Sequence, residues 1–257
     1  MKNGKKIGIL TIATGKYDIF IEGLVESCER YFLPGMEKKY FVFTDSEKIE
    51  TNDNIIRVEQ KKLGWPFDTM LRFHMFNSIK KHLEEFDYLF FMNANLKMVS
   101  TVGSFILETP EDCGLILTVH PGFYFKPKSH YPLERNPMSS FYFQPGKERG
   151  YFQGCFNGGK TKEFLEMSGI LADLIDEDLR KNIIPLWHDE SALNWYVMEK
   201  TPRALDPTFS YPEPIGEDLD NHKDLINIFG DPKILQLNKD NYGGKKELRE
   251  QKEKEND

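Results

Sequence analysis

The sequence predicts an α/β fold, with a central, mostly parallel sheet flanked by helices in a single domain. Three observations carry that prediction. Short apolar runs of strand length alternate with segments of helical periodicity, the pattern of strand–helix–strand units that build parallel sheets. The run Tyr88-Leu89-Phe90-Phe91-Met92 is apolar throughout and ends in Asn93-Ala94-Asn95, as a fully buried strand emerging from a core would. No internal repeat and no linker-like stretch divides the chain.

Taken in order, Ile7-Gly8-Ile9-Leu10-Thr11-Ile12-Ala13 reads as the first core strand, followed by a turn at Thr14-Gly15-Lys16-Tyr17. Asp18 is a candidate cap for a helix whose stripe is Phe20, Ile21, Leu24, Val25, Cys28 and Phe32. Pro34-Gly35 breaks it, and Lys39–Thr44 and Ile55–Val58 read as strands. Trp65-Pro66-Phe67-Asp68-Thr69 opens a helix lined by Met70, Phe73, Phe76 and Ile79, with Arg72 among them. After the Tyr88–Met92 strand comes Leu115–Val119, then a segment over 121–150 rich in Pro, Gly, aromatic and charged residues, read as a functional or disordered loop. Tyr151–Gly159 reads as a strand running into a glycine turn, with Thr161 capping the next helix. Trp187-His188-Asp189-Glu190-Ser191 precedes another helix, and short strands are expected near Ala204-Leu205 and Ile234-Leu235. Residues 241–257 form a mixed-charge run expected to be a flexible tail.

Composition narrows the function. A chain of 257 residues allows ample core. The net charge of -7 argues against a general nucleic-acid binder, which would show a basic footprint. Cys28, Cys113 and Cys155 are odd in number and match no metal spacing or disulfide framework, which points to a reducing compartment. The apolar run Ile7–Ala13 after the basic start is short, rich in β-branched residues and without a signal-peptide cleavage site, and no run approaches the ~18 apolar residues of a membrane span. A cytoplasmic protein is expected.

Several groups carry chemistry. In open α/β sheets the ligand crevice lies beyond the carboxyl ends of the strands, which places Asn93 and Asn95 there. Nucleotide-sugar transferases carry Asp-x-Asp at such a point to hold a cation; amides are neutral, weaker ligands for a hard cation. The plainer alternative is a polar turn. Trp187-His188-Asp189-Glu190 combines an aromatic platform for a sugar face, an imidazole and two carboxylates. The alternative there is a helix start whose carboxylates meet free backbone amides. His120 suits acceptor hydroxyls or a structural role, and Arg72 suits a phosphate or the surface. Gly154, Gly158 and Gly159 match neither a dinucleotide nor a P-loop pattern.

Together these pieces resemble glycosyltransferase family 6, the histo-blood-group A and B transferases, α-1,3-galactosyltransferases and Forssman synthases. The resemblance runs from about Ile7 to Lys239, through Tyr17, Tyr40-Phe41-Val42-Phe43-Thr44-Asp45, Trp65 to Arg72, His120-Pro121-Gly122-Phe123-Tyr124, Glu134-Arg135 and Phe156-Asn157-Gly158-Gly159. It is most specific at Trp187-His188-Asp189-Glu190-Ser191-Ala192-Leu193-Asn194, close to a family signature.

The resemblance implies a GT-A fold and retaining α-1,3 transfer of galactose or N-acetylgalactosamine from UDP to a β-galactoside. Residues 1–240 would form the catalytic domain, with 1–98 mainly UDP-binding and 99–240 mainly serving the acceptor and donor sugar. By the resemblance, Ile12, Ala13 and Tyr17 contact uridine, and Arg72 approaches the donor. Asn93, Ala94 and Asn95 stand at the metal motif, while Gln153, Gly154 and Cys155 lie where donor sugars are chosen. Lys239 meets the diphosphate. His188 and Asp189 hold the donor sugar, His120 and Trp187 flank the acceptor, and Glu190 serves acceptor and reacting centre.

The departures set further expectations. Without Asp-x-Asp, no divalent metal and no other cofactor is expected. The positive charge then comes from Arg72 and Lys239, with two further candidates: Lys97, just past Asn95, and the pair Lys245-Lys246 in a tail that closes over the donor. The anchor and stem of vertebrate members are missing, so a soluble bacterial-type member is expected. Tyr211-Pro212-Glu213 stands in place of an acceptor-binding Trp-Asp pair. The expected substrates are UDP-N-acetylgalactosamine and a fucosylated H-type galactoside. UDP-galactose as donor, or a catalytically silent sugar-binding protein, are the alternatives.

Overall fold

A computed structural model of the chain describes residues 4–213 and 220–249. The start of the basic N-terminus and the end of the charged run, 250–257, lie outside them. The first half builds strands β1 (Lys6–Ile12), β2 (Glu37–Thr44), β3 (Ile55–Glu59), β4 (Tyr88–Met92) and β5 (Leu96–Met98). Between them lie helix α1 (Ile21–Tyr31) and three short helices, α2 (Phe67–Met70), α3 (Arg72–Ser78) and α4 (Lys80–Leu83). The second half adds β6 (Leu115–Val119), β7 (Phe152–Lys160), α5 (Thr161–Arg180), α6 (Asp189–Tyr196), β8 (Arg203–Leu205), β9 (Tyr211–Pro212), α7 (Asp220–Phe229), β10 (Ile234–Gln236) and α8 (Gly244–Leu248).

Seven strands form one sheet in the order β3-β2-β1-β4-β7-β6-β8. Only β7 runs against the others, antiparallel to both β4 and β6. A second sheet, β5-β10-β9, packs alongside. Alternation along the strands sorts side chains to two cores. Leu10, Phe41, Phe43, Leu89 and Phe91 face α3 and α5 through Phe73, Phe76, Phe164 and Leu171. Ile7, Ile9, Tyr40, Phe90 and Met92 face the Leu24–Cys28–Phe32 stripe of α1. This is the expected α/β architecture, consistent with a GT-A-like glycosyltransferase.

Strand direction fixes where function can sit. Because β7 is reversed, its first residues lie at the same edge as the last residues of β1, β4 and β6: Met92 pairs with Phe156, and Val119 with Phe152. The segments after Ile12, Met92 and Val119 therefore converge with Gln153, Gly154 and Cys155.

Four local expectations are corrected. Asp18 does not cap α1; it lies in a 3-10 turn over Gly15–Phe20 and accepts from the Ser46 hydroxyl at 2.5 Å. Thr161 does not cap α5, because Lys160 holds that position and Thr161 is the first helical residue. Gly158 and Gly159 are not a turn but lie inside β7, paired with Phe90 and Leu89. A methyl on Gly158 would stand 2.5 Å from the Leu89 carbonyl and from the Phe90 ring, so glycine permits the close approach. The helix expected after Trp65 is three helices, because the backbone leaves helical geometry at Leu71 and Ile79.

Two charged or loop-like stretches also differ. Residues 241–249, expected as the start of a flexible tail, fold into a turn and α8. The cause is Leu248, which is buried in a cluster with Ala13, Phe20, Val42 and Ala94. The 121–150 segment is irregular yet packed. Leu133, Phe143 and Tyr151 form a small core, and buried Asp178 of α5 accepts from the Ser139 hydroxyl (2.5 Å) and the Ser140 N–H (2.6 Å).

Candidate active site

A cleft opens at the converging strand ends. Its volume is about 120 Å³. Of the residues assigned from the sequence, Ile12, Tyr17, Arg72, Asn93, Ala94, Asn95 and Lys239 line it. Ala13 does not, because its methyl is turned into the core and its carbonyl accepts from the Thr44 hydroxyl at 2.6 Å. Thr14, Lys62, Trp65, Asp68, Thr69, Phe91 and Arg249 complete the wall.

The wall is cationic in an acidic protein. Lys62, Arg72, Lys239 and Arg249 oppose one carboxylate, Asp68. Asp68 is itself occupied, accepting from the Leu63 N–H (2.8 Å) and the Gly64 N–H (3.0 Å). The Lys239 ammonium lies 5.2 Å from the Tyr17 ring centre, and the Arg249 guanidinium 5.5 Å from that of Trp65. Burial pushes the Lys239 ammonium below its ordinary range, and the charge of Arg249 adds to that. The other suggested cations do not line the cleft: Lys97 is exposed on β5, and Lys245 and Lys246 are exposed on α8, with Lys245 near enough to act on Tyr17. Arg249, one residue beyond buried Leu248, lines the cleft instead.

The asparagines bring no charge. The backbone N–H of Asn93 donates to the Cys155 carbonyl at 2.9 Å, and the Asn95 side-chain amide donates to the Leu237 carbonyl at 2.9 Å. Asn93 and Asn95 therefore offer a hard cation neutral amide oxygens, weaker ligands than carboxylates.

Behind the cleft lies a buried charged cluster. Arg72 is 2% exposed, far from the surface position weighed as its alternative. Its Nη2 lies 2.6 Å from Asp189 Oδ2, its Nη1 donates to the Gly154 carbonyl at 2.8 Å, and its guanidinium covers the Phe91 ring at 4.3 Å. Burial pushes the Asp189 carboxyl up to about 6, against the pull of Arg72, and depresses the Arg72 guanidinium. Glu190 accepts from the Gly154 N–H at Oε1 and from the Tyr151 hydroxyl at Oε2, both at 2.9 Å. Burial raises its pKa, while these two donors and Arg72 oppose the rise.

At the start of α6 Asp189 also meets its own backbone N–H, so the plainer alternative above holds in part, while Glu190 takes its donors from Tyr151 and Gly154. There the Ser191 hydroxyl accepts from the Trp187 N–H at 3.1 Å. His188 adopts a positive φ of 52°. One ring nitrogen, Nδ1, lies 3.1 Å from the Pro185 carbonyl; the buried Nε2 has no hydrogen-bond partner among the described residues, and the ring stands edge-on to Trp65 at 5.1 Å. Trp187 is half exposed on the rim. His120 packs against Phe123 and Tyr151, and burial lowers it to about 4, so it is neutral at pH 7.

Gln153 and Cys155 lie beside this cluster. Cys155 donates its thiol to Gln153 Oε1 at 2.9 Å, and burial pushes that thiol up to about 12, so it stays protonated. The Gln236 amide donates to the same oxygen at 3.0 Å.

Residues that the sequence did not single out hold the cluster together. Asn194 donates to the carbonyls of Phe152 (2.8 Å) and Glu190 (2.9 Å) and accepts from the Phe152 N–H (2.9 Å), tying α6 to the start of β7. Glu134 accepts from the Leu186 N–H at 2.7 Å, bracing the segment before Trp187. Both lie in motifs quoted above, which was their only signal. Tyr151, Gln236 and Arg249 carried none.

Comparison with known proteins identifies the family. The family model described as Glycosyltransferase family 6 matches residues 1–227. The O-antigen biosynthesis glycosyltransferase WbnI of Escherichia coli is 39% identical over 83% of this chain and 91% of its own length. Globoside alpha-1,3-N-acetylgalactosaminyltransferase 1 of Gallus gallus is 28% identical over 77% of this chain and 59% of its own. Histo-blood group ABO system transferase 2 of Rattus norvegicus is 28% identical over 80% of this chain and 63% of its own. Among the described residues no helix is long and apolar enough to cross a membrane.

Proposed function

Because the chain belongs to glycosyltransferase family 6 and is a glycosyltransferase, we propose that it moves N-acetylgalactosamine from UDP-N-acetylgalactosamine, with retention and without a divalent metal. The acceptor is the galactose of a fucosylated H-type β-galactoside, and the new linkage is α-1,3. One observation carries the reading: a cation-lined cleft abuts a half-buried glutamate with both carboxylate oxygens held by donors.

The chemistry follows from those residues. Retaining transfer needs a carboxylate that stabilises positive charge at the anomeric carbon. Two hydrogen bonds and nearby Arg72 favour the ionised form of Glu190, the form that stabilises that charge or bonds to the carbon. Negative charge grows on the departing UDP, and Lys239, Lys62 and Arg249 face the space that would hold it. His188 Nε2 and exposed Trp187 supply a polar and an apolar contact for sugar. The names of two relatives above support an α-1,3 N-acetylgalactosaminyl transfer and a blood-group type of product. Three free cysteines fit a reducing, cytoplasmic setting.

The test is a donor-by-acceptor matrix. UDP-N-acetylgalactosamine with 2′-fucosyllactose should give the highest rate. Faster transfer from UDP-galactose would reject the donor, and equal rates on lactose and 2′-fucosyllactose would reject the acceptor. Glu190→Gln should bind UDP as the wild type does and lose about a hundredfold or more of kcat; near-wild-type turnover would remove Glu190 from the mechanism.

A further inference from the structure

We infer that Tyr151 is a positioning residue for this transfer: its phenol holds the Glu190 carboxylate ionised and aimed at the reacting carbon. The inference rests on the role given to Glu190 above and concerns a residue outside the sequence motifs.

Geometry carries it. Tyr151 donates to Glu190 Oε2 at 2.9 Å while the Gly154 N–H takes Oε1 at the same distance, so each oxygen has its own donor. The phenol has little room to turn away. Its ring is 1% exposed and caged by Phe123 (5.0 Å between centres), His120 (5.7 Å) and Tyr131 (5.9 Å). Its carbonyl accepts from the His120 N–H at 2.8 Å, which fixes the strand end beneath it. Burial and the neighbouring Glu190 push the phenol well above its ordinary range, so it remains an O–H donor at working pH.

The charged and titratable groups around Glu190 are Asp189 beside it on α6, Arg72 from α3, and Cys155 and Tyr151 from β7 and its approach. Arg72 and Asp189 neutralise each other, so removing either strands a buried charge. The Cys155 thiol stays protonated and donates to Gln153. Tyr151 is thus the side chain whose hydrogen bond to Glu190 can be deleted without creating an unpaired ion. The ring also touches His120, which links the expected acceptor side to the carboxylate.

The sign is definite. A hydrogen bond to a carboxylate favours its ionised form. Deleting the bond raises the pKa of Glu190, so the limb on which activity rises with pH must move to higher pH.

The experiment measures kcat and KM against pH, with UDP binding and the unfolding midpoint, for wild type, Tyr151→Phe and Glu190→Gln. Tyr151→Phe should lower kcat about tenfold to a hundredfold at neutral pH, the worth of one hydrogen bond to a charged group. It should leave UDP affinity unchanged and move the acid limb up. Fluorotyrosine in place of Tyr151 keeps the ring and makes a stronger donor, so its limb should move down. An unmoved limb in both variants, with kcat close to wild type, overturns the inference while a slow Glu190→Gln leaves the function standing. Full turnover by Glu190→Gln overturns both.

Discussion

Arg72→Met tests the buried charge cluster most directly. The substitution keeps much of the side-chain volume but leaves Asp189, whose side chain is 6% exposed, without its cation, and the Gly154 carbonyl without its Arg72 donor. Breaking one partner of such a pair costs about 3–5 kcal/mol, because the remaining charge stays buried and uncompensated. Replacing both partners, as Arg72→Met with Asp189→Leu, should recover roughly half of that or more. The pH dependence supplies a second reading. In the wild type burial already holds Asp189 near 6, above its unfolded value. Its raised pKa favours the fold when the group is protonated, and that contribution fades as pH climbs from about 4 to about 6. Without Arg72 the opposing pull is gone and the folded pKa rises further. The cost of Arg72→Met should therefore be largest at mildly alkaline pH and shrink towards about pH 5. Urea unfolding of wild type, both single variants and the double variant at two pH values reads all of this. An Arg72→Met cost below about 1 kcal/mol, equal at both pH values and additive with Asp189→Leu, would refute the reasoning.

The remaining expectations are simpler to measure. Activity should survive excess EDTA and gain little from Mn²⁺, since the cleft offers amides and an engaged Asp68; loss on chelation with rescue by Mn²⁺ would show a bound metal. Lys239→Ala should lower kcat by about a hundredfold with the fold intact, and an unchanged kcat in steady-state assays would deny it a part in UDP departure. Gly158→Ala should cost about 1–3 kcal/mol or more in urea unfolding, because the new methyl meets a backbone carbonyl and a packed ring. Leu248→Asp should undock α8 and carry Arg249 away from the cleft, raising the donor KM while a Leu248→Met control leaves it unchanged.

The sheet strands were readable because their signal is local. Tyr88–Met92 is apolar at every position, and its boundaries match the strand found. The glycines of β7 misled for a physical reason: glycine marks both turns and close approaches, and only the long-range pairing with Phe90 decides which. The same limit applies in the site. The motif around Trp187 placed His188, Asp189 and Glu190 on one short stretch, but their partners come from far along the chain. Arg72 meets Asp189, and Tyr151 meets Glu190, through sheet topology that no spacing rule encodes. Arg249 was hidden in a run of charges because a single leucine, Leu248, does the docking. In a helix of only five residues, periodicity offers nothing to read.

The cleft also explains why a cation held by the protein suits the proposed donor. Arg72 is committed to Asp189, which leaves Lys62, Lys239 and Arg249 as the charges turned towards a ligand. Of these, Lys239 is desolvated, and its depressed pKa means that the fold bears a cost for keeping the ammonium there. An arriving diphosphate relieves that cost, since an opposite charge restores the ionised form. The attraction is also stronger than in water, because the surrounding medium screens it less. Aspartates at 93 and 95 would cancel much of this field and would require an added cation to restore it. Asparagines leave the field in place. The burial that makes Lys239 costly is therefore the same property that would make it effective against the proposed UDP leaving group.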